Sequence, residues 1–159
     1  MRYIIIAALF LTLASCSARQ QQTAQLTQAH CMAQSGLPDP RCTIGAIFLK
    51  ATTAQICSPG YASSVRNVPQ SEKDKVYAEY GITKHTLGAY EVDHEIPLEI
   101  GGSNDIKNLW PEPYTGPYNA HEKDQVENYL HDQVCSGKVA LKDAQTAIAA
   151  NWKQFLKGK

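Results

Sequence analysis

The chain has 159 residues, enough for one ordinary domain with a hydrophobic core and too few for two large domains. Its hydrophobic content of 43% and its charged content of 19% are typical of a soluble globular protein. Fifteen basic and fifteen acidic residues cancel, so the chain lacks the basic surplus with which nucleic-acid-binding domains commonly attract a polyanion. Binding of phosphate would therefore depend on a local patch or on a metal ion.

The first fifteen residues have the pattern of an export signal. Arg2 gives a positive start, and the apolar run that follows is too short to span a membrane stably. The run ends in Leu13-Ala14-Ser15-Cys16, which resembles the lipobox of bacterial lipoproteins and implies that Cys16 becomes the acylated N-terminus. Ordinary signal cleavage after Ala18 is the alternative. Both interpretations export the protein, and the first predicts a periplasmic protein whose lipid anchor lies in the outer membrane.

Export changes what the remaining cysteines indicate. Cys31, Cys42, Cys57 and Cys135 form an even set, so in an oxidising compartment two disulfides are expected. Three pairings are open from the sequence. We favour Cys31–Cys42 with Cys57–Cys135, because the second bond would tie the front of the domain to the end of its central helix. A zinc site is the alternative, although the cysteines lack paired C-x-x-C spacing.

The chain divides into an N-terminal part and one domain of the α+β class. After the signal at 1–15, residues 16–50 are predicted to be a tether and N-terminal extension, rich in Gln, Ser, Thr and Ala where it begins. Residues 51–159 are predicted to form the domain. Its first helix is expected to begin with Ser71 as the capping residue and to end before Gly81.

The centre of the domain is predicted to be a hairpin followed by a helix. Residues 90–94 alternate apolar and polar side chains like a half-buried strand, and Gly101-Gly102-Ser103-Asn104 forms a turn before a second strand through Leu109 and Trp110. Residues 121–134 have helical spacing, and a last helix begins near Leu141.

Polar residues that could bind a metal, activate water or contact phosphate follow one another through this hairpin and helix. They are Asp93-His94, then Asn108 after the glycine turn, then Asn119, His121 and Lys123 at the start of the helix. With Ile96-Pro97-Leu98, Gly101-Gly102, Leu109-Trp110-Pro111-Glu112 and Val134-Cys135-x-Gly137, their order and spacing resemble exported bacterial HNH endonucleases. That resemblance implies a small ββα-metal core, braced here by disulfides.

The resemblance also implies a role for each polar residue. His94 is expected to be the general base that activates water, and Asn108 to brace the loop and help to orient that base. Asp93 and His121 are expected to bind the metal, with Asn119 as the alternative ligand. Lys123 and Arg66 are candidates for contact with the substrate phosphate.

The expected cofactor is one divalent metal ion. Colicin-type members of the family offer a further histidine where this chain has Gln125, so few protein ligands remain and water completes the coordination. This favours Mg²⁺, while Zn²⁺, Mn²⁺ and Ni²⁺ stay open.

The expected activity is cleavage of DNA, with RNA as a further substrate, by a monomer with little sequence specificity. One count opposes it, because residues 66–123 contain six basic and ten acidic residues, a poor surface for a polyanion. Two alternatives follow, a catalytically silent HNH scaffold that serves as a binding module and a phosphodiesterase acting on small nucleotides. Structural readings also compete: Asp93-His94 could be a surface ion pair, and Glu95, Glu99 and Glu112 are expected to be solvated or to brace loops.

Overall fold

The computed structural model describes residues 30–156, and the predicted signal peptide and Cys16 lie outside this range. The described part is a mixed α+β fold with one two-stranded antiparallel sheet and five α-helices. In chain order the elements are α1 (Thr53–Ile56), α2 (Tyr61–Val65), α3 (Gln70–Glu79), β1 (Tyr90–His94), β2 (Leu109–Pro113), α4 (Ala120–Cys135) and α5 (Leu141–Asn151), with 3₁₀ helices at Leu98–Ile100, Ile106–Asn108 and Trp152–Leu156.

The predicted hairpin and helix are confirmed as secondary structure. Strands β1 and β2 pair so that Glu91 lies opposite Glu112, Asp93 opposite Trp110 and His94 opposite Leu109. Helix α4 begins with a capping box, in which the Asn119 side chain accepts from the backbone of Glu122 and the Glu122 side chain returns to the backbone of Asn119.

Two hydrophobic clusters hold these elements together. The larger joins the buried face of α4 to α5 and to the turn after β1, through Ile96, Ile100, Val126, Leu130, Val134, Ala144, Ile148 and Trp152. The smaller joins α3 to β2 through Val76, Tyr80, Leu109, Trp110 and Cys31. The hairpin thus packs on α3 and the turn after β1 packs on α4, which encloses the polar residues at the end of β1.

The turn between the strands depends on a close backbone approach. The Gly102 amide donates to the carbonyl of Pro97 at 2.9 Å. A Cβ atom at Gly102 would lie 1.6 Å from the carbonyl oxygen of Ile96, so no side chain fits at this position.

The first helix of the domain begins differently from the expectation. Helix α3 starts at Gln70, its N-cap is Pro69, and no side chain caps it, so the prediction that Ser71 is the capping residue was wrong. The backbone of Pro69 is extended, and the helix begins at the next residue. Ser71 therefore lies inside the first turn and not before it.

Residues 31–50, which were predicted to belong to the N-terminal extension, pack on the domain. Cys31 donates its amide to the carbonyl of Glu79, the Thr43 hydroxyl donates to the carbonyl of Leu109, and Ile47 forms a β-bridge with Gly102. These contacts are long-range in sequence, so composition and spacing did not indicate them.

The favoured disulfide pairing is confirmed. Cys31 bonds to Cys42, and Cys57 bonds to Cys135 at the end of α4. Two such bonds are typical of a protein that folds in an oxidising, exported environment. Between residues 30 and 156, no helix is both long enough and apolar enough to cross a membrane.

Candidate catalytic and metal-binding site

His94 ends β1 and lies in the interior with only 1% of its surface exposed. Its Nε2 lies 3.1 Å from Oδ1 of Asn104, and the orientation of that amide is set because Nδ2 donates to the carbonyl of Val65 at 2.8 Å. An amide oxygen only accepts, so Nε2 of His94 carries the proton and Nδ1 keeps the lone pair. Burial lowers the pKa of His94 and outweighs the opposing effects of the Asp93 charge and the Asn104 hydrogen bond, which favours the neutral ring at neutral pH.

Nδ1 of His94 finds no hydrogen-bond partner in the described part of the chain. It lies 4.0 Å from Oδ1 of Asp93. A buried imidazole nitrogen with a free lone pair is able to accept a proton, the property required of a general base. Asp93 and His94 are therefore largely buried, unlike the exposed surface ion pair that was the structural alternative.

Asn108 braces the turn that follows β1. Its Oδ1 accepts from the backbone N–H of Ile96, and its Nδ2 donates to the carbonyls of Ile96 and Ser103, all at 2.9 Å. The residue is fully buried, and its own carbonyl accepts from the amide of Glu95. These bonds join the two ends of the hairpin turn and hold the backbone beside His94.

Lys123 has a different environment from the one expected. Its ammonium is fully buried and donates to Oδ2 of Asp93 at 2.6 Å, to the carbonyl of His94 at 2.8 Å and to the carboxylate of Glu127. Burial lowers its pKa, but the surrounding carboxylates outweigh burial and raise the pKa well above its usual value. Lys123 is charged and enclosed, so in this structure its ammonium is paired with protein groups, and its contact with a substrate phosphate stays a prediction.

The sequence did contain a signal for this placement. Lys123 is three residues before Val126 and seven before Leu130, a spacing that puts it on the apolar face of α4. Its position four residues before Glu127 gives an intrahelical ion pair as well.

Asp93 is held charged by this lysine. Burial would raise the pKa of Asp93, but the ion pair and hydrogen bond with Lys123 outweigh it and lower the pKa. Ligand oxygens of Glu91, Asp93 and Glu112 lie within 4.8 Å of one another. Asp93 is thus joined by two carboxylates that the sequence had not indicated as ligands.

His121 and Asn119, the expected partners of Asp93, make other contacts in this structure. His121 is exposed, its ring centroid lies 5.8 Å from that of Tyr114, and among residues 30–156 it belongs to no group of three potential ligands. The Asn119 amide caps α4 with its oxygen and donates with Nδ2 to the carbonyl of Gly116 at 2.7 Å. Both ends of that amide are therefore bonded in the cap of α4, and the ligand role of Asn119 stays a prediction.

Two of the glutamates that were expected to be solvated are buried. Glu112 is 1% exposed, and its Oε1 has no hydrogen-bond partner in the described range; burial raises its pKa. Glu95 is equally buried, and burial raises its pKa to about 7. Their positions along the chain alone did not reveal burial, because it depends on how separate elements pack around them.

The donor set of this cluster suits a hard divalent cation. Three carboxylates converge, and one buried oxygen, Oε1 of Glu112, is left without a partner. Carboxylate oxygens are the ligands that Mg²⁺, Mn²⁺ and Ca²⁺ prefer. A second potential group, Cys57, His131 and Cys135, offers no thiolate because its two sulfurs form a disulfide, which argues against the zinc alternative.

Arg66, the other candidate for phosphate contact, is exposed at the end of α2. The Asn104 side chain bonds the residues on both sides of it, through the carbonyl of Val65 and, at 3.2 Å, the amide of Asn67. Arg66 also borders a cavity of about 540 Å³ lined by residues of the α1–α2 region, Glu99 and His131. An exposed cation thus lies beside the proposed base.

No protein-family model, curated protein or solved structure matches this chain.

Proposed function

We propose that the protein is an exported, divalent-metal-dependent endonuclease of the HNH type that hydrolyses phosphodiester bonds in DNA, with RNA as a further substrate, and has little sequence specificity. The observation that carries the proposal is His94: a buried imidazole with Nε2–H bonded to Asn104 and a free lone pair on Nδ1, adjacent to the charged carboxylate of Asp93. The succession of two strands and a helix between residues 90 and 135 supports a ββα core.

In the proposed reaction, Nδ1 of His94 takes a proton from water as the oxygen of that water bonds to phosphorus. The bond between phosphorus and the 3′ oxygen breaks, which leaves a 5′-phosphate and a 3′-hydroxyl that takes its proton from solvent. Asp93 is the carboxylate that holds the cation, and Arg66 pairs with the phosphate from the surface. When bound, a divalent cation supplies charge stabilisation on the phosphate and the leaving oxygen.

Binding of substrate also has to open the site. His94 Nδ1 is shielded from solvent, so a path for one water molecule must form next to Asp93. The acidic balance of residues 66–123 predicts weak, salt-sensitive binding of DNA. The two disulfides support an exported location, and a lipid anchor at Cys16 in the outer membrane belongs to the same proposal.

A plasmid-nicking assay tests the proposal. The purified protein is incubated with supercoiled DNA and Mg²⁺, Mn²⁺, Zn²⁺ or Ni²⁺, with and without EDTA. Cleavage is expected with a metal and is expected to stop in EDTA. His94→Gln should lower the rate by about a hundredfold or more, because general-base catalysis contributes roughly that much.

The matched control is His85→Gln. His85 is an exposed histidine whose ring lies 4.5 Å from that of Tyr77, and its replacement should leave the rate unchanged. A circular-dichroism melt of each variant separates loss of fold from loss of activity. Undiminished cleavage by a folded His94→Gln protein would falsify the assignment of the base.

A second candidate is a catalytically silent binding module on the same scaffold. The ion pair of Asp93 with Lys123 favours it, because a carboxylate that is already neutralised attracts a metal less strongly. Binding of DNA without metal-dependent cleavage in the assay above would support this alternative. A dinucleotide substrate in the same assay tests for a phosphodiesterase of small nucleotides.

A further inference from the structure

One face of the β1–β2 hairpin carries three acidic side chains. Glu91 and Glu112 are directly opposite each other across the strands, and Asp93 is two residues further along β1, so all three side chains lie on the same side of the sheet. Their ligand oxygens converge within 4.8 Å. Like charges directly opposite in a sheet destabilise it, so this arrangement favours a neighbouring positive charge or a proton on one of the carboxylates.

Lys123 supplies only part of that charge. It donates to Asp93 and Glu127, while the carboxylate of Glu112 lies 3.8 Å from Nζ, outside hydrogen-bond distance. Glu91 receives one hydrogen bond, from the hydroxyl of Tyr114 at 2.7 Å. One ammonium, that of Lys123, is therefore the nearby positive charge for the four carboxylates just named.

Glu112 shows where compensation is missing. It is 1% exposed, and its Oε1 has no hydrogen-bond partner within residues 30–156. Leaving a buried carboxylate oxygen unbonded costs free energy, so such an oxygen indicates a site for a further ligand. Glu112 belongs to the same converging group of carboxylates as Glu91 and Asp93.

We infer that Glu91, Asp93 and Glu112 are the protein ligands of a divalent cation, in place of the expected set of Asp93, His121 and Asn119. The inference deepens the proposed function, because it names the residues that would hold the metal of that enzyme. The ligand set consists of oxygens alone. It therefore suits Mg²⁺ or Mn²⁺ and lacks the imidazole that strengthens binding of Zn²⁺ and Ni²⁺.

Asp93 has two separate contacts in this arrangement. Its Oδ2 binds Lys123, whereas its Oδ1 faces Nδ1 of His94 at 4.0 Å. Within the described residues, neither Glu91 nor Glu112 has an ion-pair contact of this kind with His94. Replacing either glutamate should therefore weaken the metal site without removing the groups that surround the base.

Binding of Mn²⁺ to the purified protein, measured by electron paramagnetic resonance without DNA, tests the inference. Glu91→Gln and Glu112→Gln should each weaken Mn²⁺ binding by at least about tenfold, since a lost ligand costs no less than the tenfold to hundredfold typical of a lost supporting contact. His121→Ala removes the ligand expected from the sequence and serves as the control. It should leave the affinity for Mn²⁺ within about twofold, because that imidazole is outside the group.

For both glutamine variants, loss of a metal ligand can be distinguished from loss of the fold. Glu112→Gln keeps the size of a buried side chain, while Glu91→Gln changes a half-buried one, and melts in EDTA establish that each is folded. The inference is overturned if the wild-type protein binds no Mn²⁺, if both folded glutamine variants bind it normally, or if His121→Ala abolishes binding.

Failure of the ligand set is distinguishable from failure of the proposed function. EDTA-sensitive cleavage of DNA together with normal Mn²⁺ binding by both glutamine variants would overturn the ligand set and leave the nuclease in place. Weakened Mn²⁺ binding by these variants, in a wild-type protein that cleaves no DNA, would support the ligand set and overturn the nuclease.

Discussion

Oδ1 of Asn104 lies 3.1 Å from Nε2 of His94, and the same amide binds the backbone of residues on both sides of Arg66. One side chain thus sets the tautomer of the proposed base and ties it to the segment that presents the proposed phosphate contact. Asn104 was assigned only to a turn from the sequence, so this relationship was found in the folded structure.

Asn104→Ala is expected to lower kcat of the proposed nuclease by about tenfold, the effect of losing one hydrogen bond worth about 1–1.5 kcal/mol, with little change in KM. The Nε2–H tautomer of His94 should become less populated, which the ¹⁵N chemical shifts of the ring nitrogens measure directly. Asn67→Ala is the control, because Asn67 contributes only its backbone amide to this contact. Unchanged ring shifts in Asn104→Ala would remove Asn104 from the role of positioning residue.

Lys123→Met is expected to lower the free energy of unfolding by about 3–5 kcal/mol, because it leaves buried carboxylates without their cation. Lys75→Met removes an exposed ion pair with Glu72 and should cost less than about 1 kcal/mol. Denaturation by guanidinium in EDTA measures both. Equal losses would show that the enclosed ammonium is not the centre of charge compensation.

The two disulfides should differ in their effect on stability. Cys57–Cys135 closes 78 residues of sequence and Cys31–Cys42 closes 11. Loop-closure entropy then predicts losses of about 4.5 kcal/mol and about 3 kcal/mol when each pair is replaced by serine. Urea denaturation of the two double variants measures the difference, and a greater loss from the short loop would contradict the expectation.

Asp39→Asn should change the dependence of stability on acid. A hydrogen bond and ion pair with Arg41, together with the backbone amides of Met32 and Arg41, hold the pKa of Asp39 well below its ordinary value of 3.8. The unfolded chain binds this proton more readily, so the carboxylate stabilises the fold above pH 3.8 and that stabilisation is lost as the pH falls below it.

The variant is therefore expected to be less stable than the wild type at pH 7 and to lose less stability between pH 5 and pH 2. Urea denaturation across this range checks the slope. Asp74→Asn, which alters an exposed carboxylate on α3, should reproduce the wild-type curve. A wild-type slope in Asp39→Asn would mean that this carboxylate does not contribute to acid unfolding.

The sequence by itself determined the local structure around the site. Alternation placed a strand at residues 90–94, apolar spacing placed α4 within a residue or two of its observed ends, and cysteine parity in an exported chain predicted two disulfides. These features follow from interactions between residues that are close in the chain or from a fixed chemical requirement. They can therefore be predicted from the order of residue types in the sequence.

Only the tertiary structure decided which polar side chains meet. Glu112 and Lys123 come from different elements, and packing of α4 over the hairpin encloses both beside Asp93, while His121, two residues before Lys123, faces solvent. Burial and cross-strand register determine these contacts. Both depend on how separate elements pack, and the spacing of residues along the chain does not specify that packing.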